Sequence, residues 1–171
     1  MRTWLSGVAA VVLASGAALA AGPLFAEGGG APNPDALKLF AEAVHGAKSV
    51  CFITTANPQN NPGGRWLEPA GLHPDPILVT KDNADSPEIA GRLGKCDGFY
   101  FDGGAPKLLS DAFLKNGNDS LALATIRRRN KEGLPVAGSS AGAMILGPST
   151  MCACGMPVGI KALAGEHVDT Y

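Results

Sequence analysis

The sequence predicts an α/β fold: an open three-layer sandwich, with a parallel sheet between two layers of helices. Three observations predict it. Short β-branched or aromatic runs alternate with amphipathic helical stretches from residue 23 onward. The runs at 23–27, 98–102 and 134–137 each end in glycine. No internal repeat is present, and 171 residues suit one domain. Alternation of this kind implies crossovers, because parallel strands need a helix-length return.

The elements follow in order. Residues 23–27 (PLFAE) form a short strand closed by Gly28, Gly29 and Gly30. Asn33-Pro34-Asp35 opens a helix, with Pro at the first helical position and an acid in the first turn. Leu37, Phe40, Ala41 and Val44 recur at helical spacing, and Gly46 ends the pattern. Residues 49–55 (SVCFITT) read as a buried strand. Residues 57–64 are a loop dense in Asn, Pro and Gly. A short strand is expected at 77–80. A second helix runs from Ser86-Pro87-Glu88 to about Leu93. Residues 98–102 (GFYFD) are a strand closed by Gly103-Gly104. Helices are expected at 106–114 and 119–131. A strand at 134–137 runs into Gly138, and residues 141–146 can be helical.

Composition excludes several function classes. Lys and Arg number 14 against 15 Asp and Glu, so no basic excess points to nucleic acid. Arg127, Arg128, Arg129 and Lys131 cluster in the last turns of one predicted helix. Basic side chains there complement the helix dipole and need no polyanion. Residues 1–20 combine one basic residue, an apolar stretch and a small-x-small end at Ala18-Leu19-Ala20. That is a secretory signal peptide, with cleavage expected after Ala20; an uncleaved anchor and a misassigned start are the alternatives. Residues 21–171 are then an exported domain, periplasmic or extracellular, with no membrane contact after cleavage. Cys51, Cys96, Cys152 and Cys154 allow three pairings. Cys152 and Cys154 are too close for an easy mutual bridge, and buried small side chains are the simpler reading. No C-x-x-C or paired His is present, so neither a metal nor a cofactor is implied.

The strongest local signal is Gly138-Ser139-Ser140-Ala141-Gly142, a G-x-S-x-G between a strand and an apolar helix. In that context the pattern is a nucleophile elbow. A sharp turn lifts Ser140 above the sheet edge, and small neighbours avoid a clash. The helix N-terminus brings unpaired N–H groups to the serine oxygen. The Ala141 N–H can stabilise an oxyanion there. Gly103-Gly104 and Gly28–Gly30 end parallel strands at the same edge, so three glycine turns converge on one serine.

These marks, in this order, resemble the cyanophycinase and dipeptidase E family of serine peptidases. PLFAEGGG, SVCFITTAN, GFYFDGGAPKLLSDAFL, GLPVAGSSAGAMIL and GIKALAGEHVDTY carry the resemblance, which runs from about residue 22 to the end. It implies a class I glutamine amidotransferase-like (flavodoxin-like) sandwich. It also implies Ser140 as nucleophile, with Gly104 and Ala141 supplying the oxyanion hole through backbone N–H groups. Gly29, Gly30 and Gly103 are the expected substrate-binding rim. The family's substrates are small peptides carrying aspartate. A homodimer is left open.

Three departures stand out. Ala105 and Pro106 occupy places where the family has an acid and often Gln. Residues 141–165 contain no Asp or Glu, although the family's carboxylate lies there. Without gaps, the family's histidine position falls on Tyr171, four residues beyond His167. Glu166 and Asp169 could orient a base. The chain stops at or inside a strand, so the domain is expected to be incomplete at its C-terminus. His45 and His73 are expected in solvent.

The leading expectation is a serine-type exopeptidase or dipeptidase that acts on Asp-containing peptides through an acyl-enzyme. One alternative is a catalytically impaired homologue that binds a peptide or small ligand. Another is an esterase of the α/β-hydrolase type, which the short chain and triple-glycine start disfavour.

Overall fold

The computed structural model describes residues 21–59 and 63–147. The expected signal peptide, Cys152, Cys154, Glu166, His167, Asp169 and Tyr171 lie outside those residues. Five parallel strands form the central sheet: β1 (Leu24–Glu27), β2 (Ser49–Ile53), β3 (His73–Ile77), β4 (Gly98–Phe101) and, late in the chain, Val136–Ser139. Between the last two come β5 (Leu114–Lys115) and β6 (Asn118–Asp119), a small antiparallel hairpin, which makes Val136–Ser139 strand β7. The sheet order is β1-β7-β4-β2-β3. This is the predicted parallel α/β sandwich.

The helices are α1 (Pro34–Ala43), α2 (Pro87–Leu93), α3 (Pro106–Phe113), α4 (Leu121–Lys131) and α5 (Ala141–Met144). Each of the first three begins with proline, whose fixed φ suits the first turn and whose missing N–H costs nothing there. Asn33 caps α1 by accepting from the N–H groups of Asp35 (2.9 Å) and Ala36 (3.2 Å). Ser86 caps α2, and Ser120 caps α4. Ala105 precedes α3 and offers no side-chain cap.

Strand β4 is buried along its whole length, as is β2 from Val50 to Ile53, because helices cover both faces. One core joins Phe40, Val44, Phe52, Leu67, Leu72 and Tyr100 beneath α1 and a 3-10 turn at Arg65–Ala70. The other joins Ile53, Leu93, Phe99, Phe101, Phe113 and Ile126 beneath α2 to α4. A disulfide between Cys51 on β2 and Cys96 before β4 lies within the second core. One disulfide is thus made, beyond the simple burial expected of these cysteines. No helix among the described residues is long and apolar enough to cross a membrane.

Local boundaries differ from expectation in three places. The third strand runs over His73–Ile77 and not 77–80. Pro74 and Pro76 argue against a strand, but β3 is an edge, where a missing N–H can face away from the ladder. The β5–β6 hairpin interrupts what reads as helix ends. Its turn is Asn116-Gly117, both at positive φ, the usual chemistry of a two-residue hairpin loop. The 3-10 turn lies just beyond the predicted loop.

Candidate active site

In parallel strands all C-termini share one edge. Here the register sets Glu27 beside Ser139, and Phe101 beside Gly138. The turns after β1, β4 and β7 therefore meet at a single point. Ser140 occupies it, exposed, at φ 52° and ψ −115°. Few side-chain-bearing residues adopt such a backbone, and the cost persists only where neighbours enforce it.

The neighbours are close. A Cβ on Gly138 would lie 2.3 Å from the Gly142 carbonyl oxygen, and one on Gly142 would lie 2.2 Å from that of Phe101. Both glycines of the pentapeptide are thus required by backbone packing. The Ser140 N–H donates to the Glu27 carbonyl at 2.9 Å, and its own carbonyl accepts from Ala143 and Met144. Although Ser140 stands at the N-cap of α5, its hydroxyl makes no capping bond.

The residues expected from sequence fall as follows. A Cβ on Gly29 would approach the Ser140 Cβ to 3.0 Å and its Oγ to 3.4 Å, and one on Gly103 would approach that Cβ to 3.3 Å. Both turns therefore touch the serine. Gly30 follows at φ 91° with open space around it. Gly104, at φ 139°, is pressed against the Ala56 carbonyl, 2.2 Å from where a Cβ would stand. Ala141 is buried beneath the turn. Among the described residues neither the Ala141 nor the Gly104 N–H meets an acceptor, whereas Gly103 donates to the Asp102 carboxylate at 2.9 Å.

His45 and His73 are exposed, as expected, and both lie at the opposite edge. His45 precedes β2 and His73 begins β3. A five-residue strand is about 13 Å long, which puts both beyond hydrogen-bond reach of Ser140. The three arginines of α4 are answered locally. Arg127 pairs with Asp119, and Arg128 and Arg129 with Glu132. Hydrogen bonds from Arg129 and then Arg128 hold the Glu132 carboxyl below its ordinary range.

In the sequence, Glu27 and Tyr100 read as strand residues only. The structure joins them beside the elbow: the Tyr100 hydroxyl donates to Glu27 Oε2 at 3.0 Å. Burial, then the charge of Glu27, pushes the phenol well above its ordinary value. A lone carboxylate in an otherwise apolar strand was the available signal.

Cys51, Asp75 and Cys96 bring metal-ligating atom types together. The two sulfurs are bonded to each other and Asp75 pairs with Arg92 at 2.6 Å, so no thiolate is on offer. A cavity of about 1030 Å³ lies between α3, the hairpin and α4, and none of the three glycine turns lines it.

A strained, uncapped serine on a glycine-locked turn, above the C-terminal edge of a parallel sheet, defines a nucleophile-elbow α/β protein. Residues 24–164 match the model of Peptidase family S51, and the chain belongs to that family. Among solved structures it is similar to a peptidase from an acI-B1 Actinobacterium, with 23% identity and a TM-score of 0.63 over 78% of this chain and 60% of that one. It is also similar to a protein named as a putative peptidase E from Listeria monocytogenes EGD-e, with 28% identity and a TM-score of 0.55 over 78% of this chain and 65% of that one. The chain thus spans less than two thirds of either structure's length. No curated protein matches it.

Proposed function

We propose that this chain is an exported serine-type exopeptidase or dipeptidase that releases amino acids from small Asp-containing peptides. The observation that carries the reading is the Ser140 backbone at φ 52°, locked by Gly138 and Gly142 with the hydroxyl left out of any cap. Such strain has no structural use in a plain strand-to-helix turn.

In the proposed reaction, Ser140 Oγ attacks the peptide carbonyl carbon and its proton passes to a base. The carbonyl oxygen, now anionic, is met by the Ala141 and Gly104 N–H groups. The C–N bond breaks, the base returns its proton to the leaving amine, and an acyl ester remains on Ser140. Water then attacks the ester by the same route in reverse. Gly29, Gly30 and Gly103 form the rim against which the peptide lies. Among the described residues His45 and His73 both lie at the far edge, so neither is that base. Preference for aspartate comes from the resemblance to dipeptidase E and cyanophycinase. The Cys51–Cys96 disulfide supports export, since such bridges persist in oxidising compartments.

A second reading is a binding homologue without turnover. It is favoured by Ala105 and Pro106, which replace polar groups at the turn beside Ser140. The experiment is amino-acid release from Asp-containing dipeptides by the full chain and by Ser140→Ala. Release that disappears in the variant supports the peptidase. A folded protein that binds these peptides without cleaving them supports the second reading.

A further inference from the structure

Glu27, Tyr100 and Ser139 come from three neighbouring strands and share one sheet face. Phe25 and Tyr100 both pair with Ala137, and Glu27 pairs with Ser139. Residues two apart on a strand point the same way. All three therefore lie on the α1 side, directly beneath the elbow.

Two of them are joined by a hydrogen bond. The Tyr100 hydroxyl donates to Glu27 Oε2 at 3.0 Å, and Ser139 shares their face on the strand between them. Glu27 Oε1 accepts from the Asn33 N–H at 3.2 Å, which ties the strand to the cap of α1. The Glu27 carbonyl meanwhile holds the Ser140 N–H at 2.9 Å. The Tyr100 ring is itself fixed, stacked on Phe52 at 5.7 Å and met edge-on by Trp66 at 5.0 Å and Phe40 at 5.9 Å. Its hydroxyl is a stationary point under the turn, and with its pKa raised it stays a donor.

We propose that Glu27, Tyr100 and Ser139 are positioning residues that hold Ser140 in its strained, reactive geometry. The role rests on the reading of Ser140 as nucleophile. A serine at positive φ relaxes unless its surroundings over-determine it. Glu27 and Tyr100 brace, from either side, the strand that ends in Ser139, the residue before Ser140. Glu27 fixes the Ser140 N–H through its carbonyl and anchors that carbonyl's own residue through its carboxylate. Small displacements of a nucleophile cost rate and leave substrate binding largely intact.

The test uses the full chain and three readouts: the rate of covalent labelling of Ser140 by a fluorophosphonate, kcat and KM on an Asp-containing dipeptide, and Tm. Tyr100→Phe keeps the ring packing and removes one oxygen. It should slow labelling and lower kcat about tenfold with KM unchanged, measured well below Tm. Ser139→Ala should act in the same direction, and the double variant should be no slower than the slower single one, because the groups act as a unit. Glu27→Gln, which keeps an acceptor for the phenol, should retain more activity than Glu27→Ala. A Tyr100→Phe protein labelled at the wild-type rate overturns the positioning role alone. Wild-type protein labelled no faster than Ser140→Ala overturns the nucleophile reading and the positioning role with it.

Discussion

Two turns carry the chain from strand to helix at the same sheet edge, and they solve the task differently. After β1, the chain takes residues 28–33 to reach α1, and Asn33 caps that helix with two hydrogen bonds at an ordinary φ of −73°. After β7, the chain turns within Ser140 alone, at φ 52°, and the serine caps nothing. The first turn has space: a Cβ on Gly28 or Gly30 would meet nothing within 4 Å. The second has none at Gly138 or Gly142. Glycine content alone does not distinguish them. What does is whether the polar side chain at the helix start is consumed by the backbone or left free for chemistry.

The comparison predicts opposite outcomes for the two cap residues. Ser140→Ala should lower kcat about 10³-fold or more, as loss of a nucleophile does. Its stability should stay within about 0.5 kcal/mol, because no cap is lost. Denaturation in urea beside the dipeptide assay checks both halves. A large stability loss with little loss of turnover would make the elbow structural. Next in size is Gly142→Ala, which drives a methyl onto the Phe101 carbonyl and should cost about 3 kcal/mol or more. Urea midpoints measure it.

The ground beneath the elbow gives a pH dependence. Tyr100 has its pKa raised in the folded protein, chiefly by burial, above an ordinary value of 10.0. The protonated folded state is thus fully stabilised below about pH 10 and loses that advantage as the unfolded chain ionises above it. Melting temperature should fall from about pH 9.5 to about pH 11, and Tyr100→Phe should flatten that fall. An equal slope in the variant would mean that other groups govern alkaline unfolding.

Much of this architecture was legible because most of its strands and helices announce themselves locally. Pro34, Pro87 and Pro106 mark three helix starts, and the strand and helix on either side of Ser140 mark it as the elbow. Contacts that depend on register were not legible. Tyr100 meets Glu27 across 73 residues, and only the strand order β1-β7-β4 brings them near. Likewise, Cys96 is one of three possible partners for Cys51 until β2 and β4 are known to be neighbours. Strand β3 falls outside its expected span because proline reads as a strand breaker unless the strand is known to be an edge.

Returning to the capped turn, Asn33→Ala removes both acceptor contacts to the start of α1 and should cost about 1 kcal/mol. The Asn33 N–H to Glu27 bond uses backbone and survives the change, so turnover should hold near wild type. Loss of activity in excess of the stability loss would show that α1 and the elbow are more tightly coupled than the two turns suggest.

The smallest effect is expected at Gly28. Its φ lies outside the left-handed range, nothing stands within 4 Å of where a methyl would sit, and it is exposed. Alanine there meets no atom, and it narrows the unfolded ensemble, so Gly28→Ala should lie within about 0.5 kcal/mol of wild type or be slightly stabilising. Gly29, one residue on, has φ 102° and a Ser140 contact, and the same change there should lower both stability and turnover. The pair separates two meanings of a glycine run with a single methyl. If Gly28→Ala proves as damaging as Gly142→Ala, the turn after β1 is packed as tightly as the elbow. The contrast between a roomy capped turn and a strained catalytic one would then fail at its first residue.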